Sequence, residues 1–181
     1  MKMKRKIVAL LTMVFVCSLA VAQDKESKPL AKPLPHKVEN VEIRDLKNEV
    51  TKLPMWGEKH LLIFYVDPDK HSQNHEFTVE IEENHAAGGD NIYGLGILNL
   101  KDTWLPNNIV KGIARKRTEK NNATILADVD RTVAKAWNLG DCNNQFVLIL
   151  ISKQGELVFC KKGELSESDK ADFYKIIKEY R

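Results

Sequence analysis

The chain has 181 residues, of which 43% are hydrophobic and 29% are charged, and its formal net charge is +3. This composition is typical of one folded domain and excludes an extended disordered protein. The first 22 residues hold four positive charges and no acidic residue, so the chain without them has a net charge of −1. Because no excess of positive charge remains, we expect no nucleic-acid binding.

Residues 1–22 have the pattern of a cleaved signal peptide. A basic segment precedes an apolar run that ends at Cys17, and Ala20-Val21-Ala22 follows as a small-residue cleavage motif. We predict cleavage before Gln23 and a periplasmic or secreted protein. The apolar run is shorter than the about 20 residues that span a bilayer, and no later run is longer, so we expect no transmembrane segment after cleavage. An uncleaved anchor and a lipoprotein attached at Cys17 are the alternatives.

The rest of the chain divides into a linker and one domain. Residues 23–37 are rich in lysine and proline and predict a flexible linker, so the domain should occupy residues 38–181. The alternating pattern from Val38 to Leu46 predicts a first strand. The apolar run from His60 to Val66, closed by Asp67-Pro68-Asp69, predicts a central strand that is buried on both faces.

Helices and strands alternate after this central strand. The patterns predict helices at residues 72–86, 107–120, 131–139 and after Ser166 or Ser168, and strands at 93–100, 124–127, 146–152 and 156–160. Gly94 and Gly96 predict a β-bulge in their strand, or alternatively a close approach of another group to the backbone. The order implies parallel crossovers followed by a hairpin. It predicts a three-layer thioredoxin-like α/β fold, with a mixed central sheet, flanking helices and a C-terminal hairpin plus helix.

Several segments between Gly96 and Lys178 resemble the YtfJ family of exported bacterial proteins. They include Leu105-Pro106-Asn107-Asn108-Ile109-Val110, Ala123-Thr124-Ile125-Leu126-Ala127-Asp128 and Val133-Ala134-Lys135-Ala136-Trp137-Asn138-Leu139. The resemblance implies a thioredoxin-like fold that lacks the paired redox cysteines. It supplies no catalytic residues.

Two cysteines, Cys142 and Cys160, follow the predicted cleavage site. The predicted hairpin places Cys160 opposite Ile149, and extrapolation along a straight strand puts Cys142 about 20 Å away. A disulfide needs Cα atoms within about 7 Å, so we predict two free thiols. The chain has no Cys-x-x-Cys motif, which argues against dithiol exchange.

Four residues near the end of the central strand suggest a metal site. His71 and His75 are four residues apart on the predicted helix, where two imidazoles can bind one ion. With Asp69 and Cys142 they would offer oxygen, nitrogen and sulfur ligands suited to zinc or copper. The alternative is that the histidines are merely exposed and that Cys142 lacks a partner, and Cys142 acting as a single thiol is a further possibility.

The acidic pair Asp128 and Asp130 has two interpretations. The pair resembles a fragment of a hard-cation site, but capping of the helix that follows explains it equally well. The sequence as a whole therefore predicts a non-catalytic module that binds an unknown protein or small-ligand partner in the periplasm. A metal-binding or single-thiol protein that uses His71, His75 and Cys142 is the alternative.

Overall fold

A computed structural model describes residues 32–84 and 86–181 of the chain. The predicted signal peptide, the cleavage site before Gln23 and residues 23–31 of the predicted linker lie outside this part. No helix in these two ranges has both the length and the apolar character that crossing a bilayer requires.

The strands of the described residues are β1 (His36–Lys37), β2 (Glu42–Arg44), β3 (Val50–Lys52), β4 (His60–Val66), β5 (Ile92–Asn99), β6 (Ile125–Asp128), β7 (Phe146–Ile151) and β8 (Glu156–Lys162). They form one mixed sheet in the order β1-β8-β7-β4-β5-β6-β2-β3. β4, β5 and β6 run parallel to one another. On the other side of β4, β7 is antiparallel to β4 and β8 is antiparallel to β7.

The helices are α1 (His75–Asn84), α2 (Asn107–Asn121), α3 (Thr132–Ala136) and α4 (Glu167–Ile177), and a 3-10 turn occupies Pro68–Lys70. α1 and α2 connect the parallel strands, which need long crossovers. α4 begins with a capping box, in which Ser166 accepts from the Asp169 amide and Asp169 accepts from the Ser166 amide. Ser166 rather than Ser168 is therefore the N-cap residue.

Hydrophobic clusters cover both faces of the sheet. The odd-numbered residues of β4 pack with Trp137 and Leu139 in one cluster, and its even-numbered residues pack with Phe77 and Phe173 in another. Successive side chains of a strand point to opposite faces, so these clusters lie on opposite sides of the sheet. We call the first side the α3 face and the second the α1 face. A smaller cluster around Val110 packs under α2, also on the α1 face.

The amino-terminal part differs from the prediction. Of the strand predicted from Val38 to Leu46, only Glu42–Arg44 forms a strand, β2. The Asn40 side chain instead hydrogen-bonds the backbone of Leu53, with the Leu53 amide 3.0 Å from Oδ1. β3 was not predicted. The last two residues of the predicted linker belong to β1 and pair with β8.

Two predicted helices are shorter in the structure. The helix after β4 begins at His75 rather than at residue 72, because Asn74 has a left-handed φ of 61°. The helix predicted at 131–139 covers only Thr132–Ala136, since Arg131 (φ 65°) and Asn138 (φ 56°) are also left-handed. A helix of L-residues does not continue through such positions.

Candidate functional site

The turn after β4 is closed by a buried aspartate. The Asp67 side chain accepts hydrogen bonds from the amide of Asp69 at 3.0 Å and from the amide of Asn144 at 2.8 Å. Burial raises the pKa of the Asp67 carboxyl, and these amide donors act in the opposite direction. Gln73 makes a second link, since its Oε1 accepts from the Phe146 amide at 2.8 Å. Side chains thus join this turn to the loop that precedes β7.

Asp69 and His71, two of the four predicted metal ligands, already have hydrogen-bond partners in the protein. Asp69 accepts from the Thr103 hydroxyl at 2.8 Å and from the Trp104 amide at 3.3 Å. His71 Nδ1 lies 3.0 Å from the carbonyl oxygen of Pro68. His71 belongs to the turn after the 3-10 segment and His75 is the first residue of α1. The expectation that both histidines share a helix is therefore wrong, because the 3-10 turn and the left-handed residue before His75 delay the helix.

Cys142 lies apart from the histidines. Its side chain is buried in the α3-face cluster, whereas His71 and His75 line a cavity on the α1 face. Within the described ranges, no three His, Cys, Asp or Glu side chains are grouped so that they could hold a metal ion. The structure therefore does not bring the four predicted ligands together.

Both described cysteines are free thiols, as predicted, and Cys160 lies opposite Ile149. The two cysteines belong to the same core cluster, and Cys142 is close enough to contribute to the raised pKa of Cys160. The separation of about 20 Å that was predicted for the two cysteines from a straight strand is therefore too large. The loop before β7 folds back over the sheet instead of continuing the strand. Burial raises the pKa of each thiol to about 12, against an opposing effect of Lys162. Both are protonated near pH 7 and are therefore poor nucleophiles.

A buried polar cluster lies at the carboxyl ends of β4, β5 and β6 on the α3 face. Tyr65 donates to Asp128 at 3.2 Å, and Asn99 Nδ2 donates to Asp102 at 2.7 Å. Asn99 Oδ1 is buried without a hydrogen-bond partner in the described residues. Arg131 forms an ion pair with Asp102 and closes the cluster on the solvent side.

The two carboxyl groups of this cluster differ in pKa. Burial raises the pKa of Asp128, although the amides of Val133 and Thr132 oppose the shift. Burial acts to raise the pKa of Asp102 as well. Hydrogen bonds from Arg131 and Asn99 and the charge of Arg131 outweigh this effect and hold the Asp102 pKa below its ordinary value. Asp128 accepts from the Thr132 amide at 2.8 Å and from the Val133 amide at 2.9 Å. This geometry confirms the capping interpretation of the Asp128–Asp130 pair.

A polar cleft of about 610 Å³ opens above the cluster. Asp102, Arg131, Asp141 and Cys142 contribute to its lining. Sequence reasoning missed Asn99, Asp102 and Arg131 because they come from two separate segments: Asn99 ends β5 and Asp102 follows it, whereas Arg131 lies between β6 and α3. Their positions after parallel strands were the signal that could have found them, since these ends meet at one edge of the sheet.

An apolar cavity of about 810 Å³ lies on the α1 face between α1 and α2. Its floor is formed by β4 and β5, where Phe64 and Leu98 are only half-buried and Gly94 is exposed. β5 pairs with β4 in unbroken register through Gly94 and Gly96, so the predicted bulge is wrong. A Cβ added at Gly94 would meet no atom within 4 Å. Gly94 therefore leaves open space above the strand, whereas a Cβ added at Gly96 would contact the Ile125 side chain at 3.7 Å.

No protein-family model matches the chain. No curated protein matches it either. Solved structures do match it, among them three that are 13 to 17% identical to this chain in sequence.

The exposed lipoprotein thioredoxin of Streptococcus pneumoniae matches with 13% identity and a TM-score of 0.54, covering 76% of this chain and 99% of that chain. The DsbF homologue of Corynebacterium diphtheriae matches with 16% identity and a TM-score of 0.59, covering 87% and 96%. The 2-Cys peroxiredoxin of Plasmodium vivax matches with 17% identity and a TM-score of 0.53, covering 79% and 93%. Likeness at this level of identity shows the fold, which is thioredoxin-like as the sequence predicted.

Proposed function

We propose that this chain is an exported thioredoxin-like protein that works without dithiol exchange and binds a partner or a small ligand. The observation that carries the proposal is the turn after β4, where aspartates stand at the amino end of the α1 segment and no cysteine is present. Thiol exchange at such a corner needs a thiolate stabilised by free backbone amides. Here the Asp67 carboxylate already accepts from the amides of Asp69 and Asn144.

The environment of the described cysteines supports the same proposal. Cys142 and Cys160 are 3% and 6% exposed, and burial raises the pKa of both. A thiol that is both protonated and out of solvent reacts slowly with disulfides. Export and membership of the YtfJ family belong to the proposal as well, and the leader pattern and the scaffold motifs of the sequence support them.

Thiol reactivity provides the direct test. The purified protein is treated with iodoacetamide at pH 8, and peptide mass mapping reports Cys142 and Cys160 separately. We expect little modification of either residue in native buffer and rapid modification in denaturant. Asp69→Cys serves as a positive control, since its thiol would stand in the half-buried corner and be alkylated without denaturant.

Insulin reduction in the presence of dithiothreitol tests the activity itself. We expect the protein to leave the rate of insulin precipitation unchanged, and Cys142→Ser to behave in the same way. Acceleration of insulin reduction that Cys142→Ser abolishes would refute the proposal.

A further inference from the structure

The face of β5 that points toward α1 and α2 is unusually open for a central strand. β5 has hydrogen-bonded neighbours on both sides, and strands in that position are normally covered on both faces. Here Leu98 and Gly96 are half-buried and Gly94 is exposed. The two helices cover the flanking strands instead: α1 packs in the cluster of Phe77 and Phe173, and α2 packs in a separate cluster.

The resulting cavity has the size and lining of a small-molecule site. Its volume of about 810 Å³ lies within the range of ligand pockets, which is about 300 to 1,000 Å³. Aliphatic and aromatic side chains dominate the walls, among them Leu62, Phe64, Val66, Leu98, Val110 and Ile113. Ile113 is 65% exposed at the α2 wall, where an apolar side chain gains nothing from solvent.

An ion pair across the opening favours a small molecule over a folded protein. Arg117 of α2 and Glu82 of α1 both line the cavity, and their side chains approach to 2.6 Å. A protein surface that entered from this side would have to break the pair, whereas a slender molecule can lie beneath it. The pair also commits the charge of Arg117, so this guanidinium is not free for a ligand.

The charges around the cavity are unequal at its two ends. Glu82 and Glu83 stand at the end near Leu62, and the opposite end is lined by Pro68, Gln73 and two histidines, with no carboxylate among its lining residues. His75 and Glu82 are seven helical residues apart, which separates the two ends by about 10 Å. An elongated ligand with one anionic end fits this distribution in one direction only.

The histidine end suits a single negative charge. His71 Nδ1 lies 3.0 Å from the Pro68 carbonyl oxygen, so the Nδ1 hydrogen is held there and Nε2 is the nitrogen left for a ligand. Nε2 of His71 has no hydrogen-bond partner in the described part of the chain. Gln73, whose Oε1 accepts from the Phe146 amide, lines the same end and has its NH2 group left to donate to a carboxylate oxygen.

From this geometry we propose that the cavity between α1 and α2 binds a fatty acid, with its hydrocarbon chain along Gly94 and Gly96 and its carboxylate at His71 and His75. The inference rests on the proposed binding function and names its ligand class. It uses the α1 face, whereas the polar cleft at Asp102 and Arg131 lies on the α3 face.

Filling the cavity gives the main test. Gly94 lies outside the left-handed region, and an added Cβ there would meet no atom within 4 Å, so Gly94→Leu fills the cavity without forcing the backbone. Gly112→Ala is the matched control, because Gly112 also has open space around its Cβ but does not line the cavity. Dodecanoate is the probe, and binding to the full chain is measured by isothermal titration calorimetry.

We expect one dodecanoate per chain, affinity weakened about tenfold or more in Gly94→Leu, and unchanged affinity in Gly112→Ala. Dodecanol should bind more weakly than dodecanoate, and His71→Gln with His75→Gln should remove this difference. Ile113→Glu, at an exposed position where folding tolerates a charge, should weaken dodecanoate binding independently of Gly94.

Absence of dodecanoate binding to the wild-type chain would overturn the proposal, as would equal binding to wild type, Gly94→Leu and Ile113→Glu. A wild-type dimer in sedimentation velocity that Gly94→Leu dissociates would also overturn it, because a second copy of the chain would then occupy the cavity. These outcomes leave the thiol measurements untouched. Acceleration of insulin reduction, by contrast, would refute the proposed function whatever the cavity binds.

Discussion

Replacing Asp67 by alanine should destabilise the protein strongly, although the substitution removes few atoms. The Asp67 carboxylate is fully buried and accepts from two backbone amides, those of Asp69 and Asn144. Alanine leaves both N–H groups without an acceptor. An unsatisfied buried donor costs about 1–3 kcal/mol, so we expect Asp67→Ala to lower the free energy of unfolding by about 2–4 kcal/mol.

The chain contains a matched control for this substitution. Asp45 also accepts from two backbone amides, those of Lys47 and Glu49, each at 2.8 Å, but its turn is exposed. Water can replace the lost acceptor there, so Asp45→Ala should cost only about 0.5–1 kcal/mol. Urea unfolding followed by tryptophan fluorescence gives both values when the slope of the free energy of unfolding against urea concentration is the same in all variants. A cost of Asp67→Ala no larger than that of Asp45→Ala would refute the assigned role of burial.

Asp67→Asn removes the charge together with one of the two hydrogen bonds, because the Asp69 and Asn144 amides bind different oxygens of the Asp67 carboxyl group. The amide keeps one acceptor oxygen and removes a carboxylate whose pKa is raised by burial. A raised pKa means that this group stabilises the fold fully below its ordinary pKa, and that the contribution is lost as the pH rises through the folded-state pKa. The stability difference between wild type and Asp67→Asn should therefore be larger at pH 4 than at pH 7. A difference that grows with pH would contradict this assignment.

Three further substitutions test other contacts. Trp137→Phe removes the indole donor 2.9 Å from the Glu39 carbonyl oxygen and should cost about 1–3 kcal/mol in thermal unfolding. Burial alone would raise the pKa of Asp102, but Arg131 holds this pKa below its ordinary value. The free energy of unfolding should therefore fall as the pH drops through the lowered pKa. Asp102→Asn should reduce this fall, as measured by urea unfolding between pH 5 and pH 2. Gly155→Ala should cost about 1–2 kcal/mol, because Gly155 has a left-handed φ of 74°, and urea unfolding will show whether it does.

The regular elements could be predicted because their patterns are local. The apolar run of β4, the hairpin turn at Gly155 and the spacing of Phe173 and Ile177 in α4 each specify an element within a few residues. The breaks near Asn40 and Asn74 were missed because they depend on side-chain bonds and left-handed backbone at single asparagines. Single residues of this kind give little periodic signal.

The candidate site was harder to predict because it is assembled from separate segments. The predicted fold places both His71 and Cys142 near the carboxyl end of β4. The sequence does not show, however, on which face of the sheet each side chain lies. The loop before β7 places Cys142 on the α3 face, while the turn after β4 leaves His71 on the α1 face. Gly94 and Gly96 were noticed in the sequence, yet their effect depends on how far apart α1 and α2 pack.

The two outer strands of the described sheet limit how this protein can associate with others. β1 has two residues and β3 has three, and each ends in a lysine. Short edges that carry positive charge offer few free backbone groups to an incoming strand, so growth of the sheet by strand addition is disfavoured. β7 is an apolar strand that is buried along its whole length. Because the edge strands disfavour strand addition, apolar strands such as β7 are kept from intermolecular pairing and amyloid-like stacking.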